Sequence, residues 1–174
     1  MKSNIELYTK ELHFLGETEE DKRHDLCLHG KVTLKVNGTV FADGVECCLS
    51  ASALRFLRSL RQEHEVGNDE QLFPCCGNML IPSDDGKTVT VIGCPNGIDF
   101  SVLHNENIII LVLPGVGQVS VEYSEYKTAV LSYAKTILDF IENSPKRIFK
   151  DGYEKAGYAA FLTEFNDLME EDTL

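Results

Sequence analysis

The sequence predicts an α+β fold: an antiparallel β-sheet, built from a hairpin and a meander, with about three helices, the last two packed on one face. Apolar and polar residues alternate through much of residues 26–123, with turn residues at short intervals. Helical spacing of apolar residues occurs once near residue 50 and again after residue 123. Short turns favour antiparallel neighbours, and strands followed by helices are typical of α+β domains. Because the 174 residues are 43% hydrophobic, we expect one domain over residues 1–174.

The N-terminal part begins with the segment whose pattern is least decisive, residues 1–24. Residues 5–15 alternate loosely and fit a strand or a short helix, and the polar residues 16–25 predict an exposed loop. A longer alternation then runs to Val36, and Asn37-Gly38 separates it from a second run. Asn-Gly suits the positive φ angles of a type I′ turn, so this pair of runs predicts a β-hairpin.

The first helix is predicted over residues 51–63, with Ser50 as its N-cap. Apolar residues such as Phe56 and Leu60 recur on one side of this helix. The other side carries a row of arginines, which fits a solvated face or a surface for a phosphate or an acidic partner. The row consists of Arg55, Arg58 and Arg61.

A meander and two helices complete the chain. Four strand-like runs cover residues 88–92, 98–103, 107–113 and 118–123. Ser124 is a plausible cap for the next helix, and Asp151 and Glu154 have capping-box spacing for the last one. We expect the tyrosines at 126, 133 and 158 to lie in the core, and the tail, residues 170–174, to fray.

The charge balance is acidic, with 28 Asp and Glu against 16 Lys and Arg and a net charge of −12. Without a basic stripe, broad binding to nucleic acid or to an anionic membrane is excluded. The charge serves solubility or favours a basic protein partner, and both interpretations stay open. The candidate partner-binding residues are Glu17, Glu19, Glu20, Asp21, Glu164, Asp167, Glu170 and Glu171.

The sequence also predicts a cytoplasmic location. The chain opens without an apolar run, and its longest apolar stretch, residues 108–113, is strand-sized. In a reducing compartment the six cysteines are expected as free thiols, most of them packed as small apolar residues.

Three short motifs, at residues 25–30, 74–77 and 93–97, bring together the residue types that bind zinc. No Cys-x-x-Cys pair occurs, and adjacent cysteines in an extended segment point to opposite faces, so Cys75 and Cys76 are not expected to share one ion. Cys27 and His29 would share a strand face. The candidate zinc ligands are Cys27, His29, Cys75, Cys76 and Cys94.

A thiol nucleophile is a further alternative. Cys47 and Cys48 lie just before the first predicted helix, on the favourable side of its dipole. No sequence signal brings a histidine base to them, so core packing is the competing interpretation.

The stretch Asp25-Leu26-Cys27 to His29-Gly30-Lys31-Val32, with PCCG at 74–77, GCPNGIDF at 93–100 and GYAAF at 157–161, resembles an uncharacterised family of small bacterial cytosolic proteins. The resemblance implies a bacterial cytosolic origin and brings no activity, cofactor or site residue with it.

Two functional hypotheses follow. The first is a non-catalytic acidic domain, without a cofactor, that binds a protein, such as an immunity protein neutralising a basic toxin. The second is a zinc protein or thiol-dependent enzyme that uses the cysteines and His29 named above.

Overall fold

The computed structural model describes residues 4–67, 70–77 and 79–173, and side chains as far as residue 170. The fold class is confirmed as α+β, and the predicted single sheet is replaced by three antiparallel sheets, β1-β2-β3, β4-β5 and β6-β7-β8. Within the described ranges the strands are β1 Ile5–His13, β2 His29–Val36, β3 Thr39–Cys48, β4 Met79–Pro82, β5 Val89–Ile92, β6 Ser101–Asn105, β7 Ile108–Leu113 and β8 Gly117–Glu122. The helices described there are α1 Glu19–His24, α2 Leu49–Arg58, α3 Tyr123–Asn143 and α4 Gly152–Thr173.

The β2–β3 hairpin confirms the Asn-Gly turn. Asn37 and Gly38 both have positive φ, 49° and 80°, and Val36 pairs with Thr39 across the turn. Residues 5–13 form a strand that pairs with β2, which decides between the two alternatives for that segment. The following polar run contains α1 instead of a loop, because Thr18 and Asp21 form a capping box at its start.

The second sheet departs from the predicted meander. β5 pairs with β4, and its connection to β6 turns back towards Phe73. Phe73 and Ile98 exchange two backbone hydrogen bonds, of 3.0 and 2.9 Å. This bridge separates β5 from β6 and sets the β4–β5 ribbon apart from the C-terminal three-stranded sheet.

Helix α2 is central and begins before the predicted cap. Cys48 is its N-cap, and Ser50 lies inside the helix, where its Oγ accepts a hydrogen bond of 3.1 Å from the N–H of Leu28. The prediction of a solvated arginine face is wrong for Arg55 and Arg58. Both guanidinium groups turn inward because backbone carbonyls of residues outside α2 accept their hydrogen bonds.

The two last helices pack together, in agreement with the prediction. α3 packs on β1 and α2, and α4 lies on β4 and β5. Gly157 allows this second contact, because a Cβ there would overlap the carbonyl of Leu80. Asp151 caps α4 by accepting a hydrogen bond of 2.8 Å from the N–H of Glu154.

One cluster of buried apolar side chains draws on all three sheets and on α2, α3 and α4. As predicted, it includes Tyr126, Tyr133 and Tyr158. The hydroxyl groups of the first two bond Ser59 and Ser52 of the α2 region. Helical backbone continues to Thr173 through the tail expected to fray, where side chains beyond residue 170 lie outside the described part. Of the helices described, none combines the length and the apolar character needed to cross a membrane.

Candidate functional site

Three thiols meet at one end of the β4–β5 ribbon. Cys75 and Cys76 precede β4, and Cys94 follows β5. Their sulfur atoms all lie within 4.8 Å of one another, and the Sγ atoms of Cys75 and Cys94 are 2.6 Å apart. We call these residues the three-cysteine cluster.

Cys75 and Cys76 reach one point because the chain bends at Cys75, outside the strands. The rule that adjacent side chains of a strand point to opposite faces therefore does not apply to them. Gly77, which follows the cysteines, is packed against the side chain of Ala51 on α2. The premise that Cys75 and Cys76 point to opposite faces is therefore wrong, and whether they share one ion stays a prediction.

Close backbone contact holds the two cysteine loops together. A Cβ on Gly93 would overlap the carbonyl of Cys76, and one on Gly97 would lie 2.5 Å from the carbonyl oxygen of Phe73. The N–H of Cys94 donates a hydrogen bond of 3.0 Å to the Sγ of Cys76. Only glycine permits this approach, so Gly93 and Gly97 let the two loops lie in direct contact.

Arg55 on α2 bonds the chain shortly before each of the two cysteine loops. Its guanidinium donates to the carbonyl oxygens of Gln71 and Val91, at 2.7 and 3.1 Å, and the residue is 4% exposed. Gln71 then bonds the second loop, donating to the carbonyl of Pro95 at 2.8 Å and accepting from the N–H of Gly97 at 3.2 Å. The sequence did not identify Arg55 and Gln71 as residues that position the loops, although a glycine next to the cysteines in each motif indicated close packing.

The protonation states of the cluster are unequal. A hydrogen bond from Cys75, with further ones from the Asn96 N–H and from Cys76, lowers the pKa of the Cys94 thiol. The same hydrogen bond to Cys94 raises the pKa of Cys75 to about 11. Cys94 is therefore the more readily deprotonated thiol of the pair, and Cys75 keeps the proton that it donates.

Cys27 and His29 do not join the cluster, although they were predicted as zinc ligands. Cys27 is disulfide-bonded to Cys48, with Cα atoms 5.9 Å apart and both residues at most 1% exposed. The expectation of free thiols is wrong for this pair, because β2–β3 pairing sets His29 opposite Cys48 and brings Cys27 beside it. The Nε2 of His29 instead lies 3.3 Å from the Oδ2 of Asp25.

The states of Cys47 and Cys48 argue against a thiol nucleophile just before α2. Cys48 is bonded, and burial raises the pKa of the Cys47 thiol to about 12. A neutral, buried thiol is a packing residue and a poor nucleophile.

The acidic candidates fall into separate groups. Asp21 caps α1, Glu19 pairs with Lys22, and Glu17 and Glu20 are exposed. α1 contacts the segment just before α4, and Glu170 lies 18 residues along that helix, which is about 27 Å away from its start. The two acidic segments therefore form no continuous surface.

Glu164, in the second acidic segment, was predicted to bind a partner, and this prediction is wrong because the residue is buried. It is 8% exposed, and its carboxylate accepts two hydrogen bonds from Arg58, at 2.7 and 2.9 Å. Burial against Arg58 removes it from any partner surface. Asp167 and Glu170 are exposed, and the side chain of Glu171 lies outside the described residues.

No protein-family model, no curated protein and no solved structure matches this chain. The resemblance to a family of small bacterial proteins therefore stays a prediction.

Proposed function

We propose that this protein binds one Zn²⁺ ion through the thiolates of Cys75, Cys76 and Cys94. The observation that carries the proposal is the convergence of three sulfur atoms from two loops. Zinc–thiolate bonds of about 2.3 Å place sulfur atoms about 3.8 Å apart in a tetrahedron. Side-chain rotation that separates Cys75 from Cys94 by about 1 Å reaches this arrangement.

The hydrogen bonds in the cluster suit a metal-bound state. Backbone N–H groups donate to the sulfur atoms of Cys76 and Cys94, and the pKa of Cys94 is lowered by its hydrogen bonds. Zinc takes the place of the proton between Cys75 and Cys94, because a metal ligand must be deprotonated. Binding therefore releases the proton of Cys75, whose raised pKa keeps it protonated near neutral pH.

Metal analysis of the full chain, purified without an affinity tag and kept reduced, tests the proposal. We expect one zinc per chain, and loss of that zinc in Cys76→Ser and Cys94→Ser. Cys47→Ala is the matched control, because Cys47 is a free thiol outside the cluster. A chain that takes up no zinc, or a Cys47→Ala variant that loses as much as the cluster variants, would contradict it.

A second proposal is cytoplasmic recognition of a basic protein, such as a bacterial toxin, by an acidic surface. The exposed carboxylates of Glu17 and Glu20 beside α1, in a chain of net charge −12, favour it. It predicts a gene for a basic toxic protein beside the gene for this chain. The association rate of the two purified products should fall in Glu17→Lys/Glu20→Lys, and an unchanged rate at low ionic strength would defeat the idea.

A further inference from the structure

We propose that the zinc centre is open: its fourth position accepts one nitrogen or sulfur donor atom from outside the chain, such as an imidazole or a thiolate. This inference rests on the proposed zinc binding by the three-cysteine cluster. Structural zinc sites use four protein ligands, whereas sites with three protein ligands keep a position for water or another ligand.

The first argument is the count of donors. Among the described residues, no fourth His, Cys, Asp or Glu ligand atom joins the three sulfur atoms. Cys48 is held in a disulfide, and Cys47 is buried with its pKa raised to about 12. Three of the histidines bond other groups, which are the carboxylates of Asp25 and Asp99 and the carbonyl of Ser59.

The second argument is the direction in which the cluster faces. Cys75 is exposed, as are Pro95 and Asn96 next to Cys94. On its other side the cluster backs onto α2, because a Cβ on Gly77 would lie 2.8 Å from the side chain of Ala51 and 3.3 Å from the Sγ of Cys48. A metal ion bound by the three sulfur atoms therefore lies on the solvent side, where its remaining position can be reached.

The third argument is charge, which selects the class of ligand. Three thiolates and Zn²⁺ sum to a net charge of −1, in a chain that already carries −12. This negative field opposes carboxylates and phosphates, which are also harder donors than zinc–thiolate centres prefer. An imidazole enters as a neutral group, and a thiol enters by losing its proton to solvent. The geometry thus points to a free imidazole or thiol compound, or to a His or Cys side chain presented by a second protein.

Cobalt substitution of the full chain tests the inference. Sulfur-to-cobalt charge-transfer bands report occupation of the cluster, and the visible d–d bands report the fourth ligand. Imidazole and 2-mercaptoethanol should each shift the d–d bands saturably, with one equivalent bound per cobalt. Acetate and phosphate at the same concentration should leave the bands unchanged.

The outcomes separate the two proposals. If cobalt produces no charge-transfer bands, zinc binding itself fails. If the bands form but no added donor shifts the d–d spectrum, the chain supplies its own fourth ligand and the open position is wrong. X-ray absorption of the zinc form, prepared without any added thiol compound, gives an independent check: three sulfur neighbours with one nitrogen or oxygen agree with the proposal, and four sulfur neighbours overturn it.

Discussion

The carboxylate of Glu164 is buried, where it binds groups from two other elements of the fold. It accepts hydrogen bonds from Arg58 and also one of 2.8 Å from the N–H of Val89 on β5. The same arginine donates to the carbonyl of Val89. This group joins α2, α4 and β5 through one ion pair, so removing either charge weakens the contact among these three elements.

Replacing Glu164 with Gln should lower the free energy of unfolding by about 2–3 kcal/mol. Arg58 keeps Glu70 as a second partner, so this loss stays below that of an isolated buried ion pair. Urea unfolding measures the change. Asp167→Asn is the control: it lies on the same helix, is exposed, and should change stability by less than about 0.5 kcal/mol. Equal effects of the two changes would show that Glu164 is not a structural ion-pair partner.

Asp25 makes stability depend on pH. Burial alone raises the pKa of this carboxyl, but hydrogen bonds from His29 and from the N–H groups of Leu15 and Cys27 hold it below the ordinary value of 3.8. A folded-state pKa that is lowered contributes stability above pH 3.8, and this contribution is lost as pH falls through the folded-state pKa. Asp25→Asn should therefore be less stable at neutral pH and should lose less stability on acidification. Urea titrations across that range check this, and parallel pH curves for the two proteins would contradict it.

At the scale of elements, the contact of α4 with β4 depends on one glycine. Alanine normally stabilises a helix interior by about 1 kcal/mol relative to glycine. At Gly157 the added methyl group would overlap the carbonyl of Leu80, so Gly157→Ala should destabilise the protein. Gly152→Ala, at a position of the same helix with open space around it, should be neutral or stabilising. Thermal melts of both variants measure the contrast, and a stabilised Gly157→Ala would disprove the close approach.

The two cysteine loops depend on Gly93 in the same way. Gly93→Ala should push the loop of Cys94 away from the carbonyl of Cys76 and lower zinc affinity about tenfold or more. Competition with a chromophoric chelator measures this affinity. The Gly152→Ala variant should bind zinc as the wild type does. Unchanged affinity in Gly93→Ala would mean that the loops do not need this contact to hold the ion.

The elements differ in how far the sequence alone could predict them. The β2–β3 hairpin depends on two adjacent residues, Asn37 and Gly38, so local chemistry was sufficient. The separation of β5 from β6 depends on contacts such as Phe73 with Ile98, which are distant along the chain. The cluster cysteines were all candidates, but their grouping required the bend at residues 74–77, which a strand-based pattern does not contain.

At the scale of the whole molecule, the six cysteines divide by accessibility. Cys27 and Cys48 are bonded and buried, Cys47 is a buried thiol, and the cluster reaches the surface. Brief alkylation of the folded, zinc-free protein should label the cluster and leave Cys47 unmodified, and zinc should protect the cluster. Peptide mass spectrometry after denaturation and reduction reads the pattern. Labelling of Cys47 as fast as Cys75 would contradict the described core.

Cys48 connects the disulfide, the start of α2 and the cysteine loops. Its N–H donates a hydrogen bond of 2.8 Å to the carbonyl of Pro74, which precedes Cys75, and Arg55 supports the loops about two turns further along the helix. The three-cysteine cluster is thus shaped by parts of the chain that precede it by about twenty residues or more. Excised as a short peptide, or grafted onto another scaffold without α2, the segment that holds the cluster would lose those contacts and would not keep its conformation.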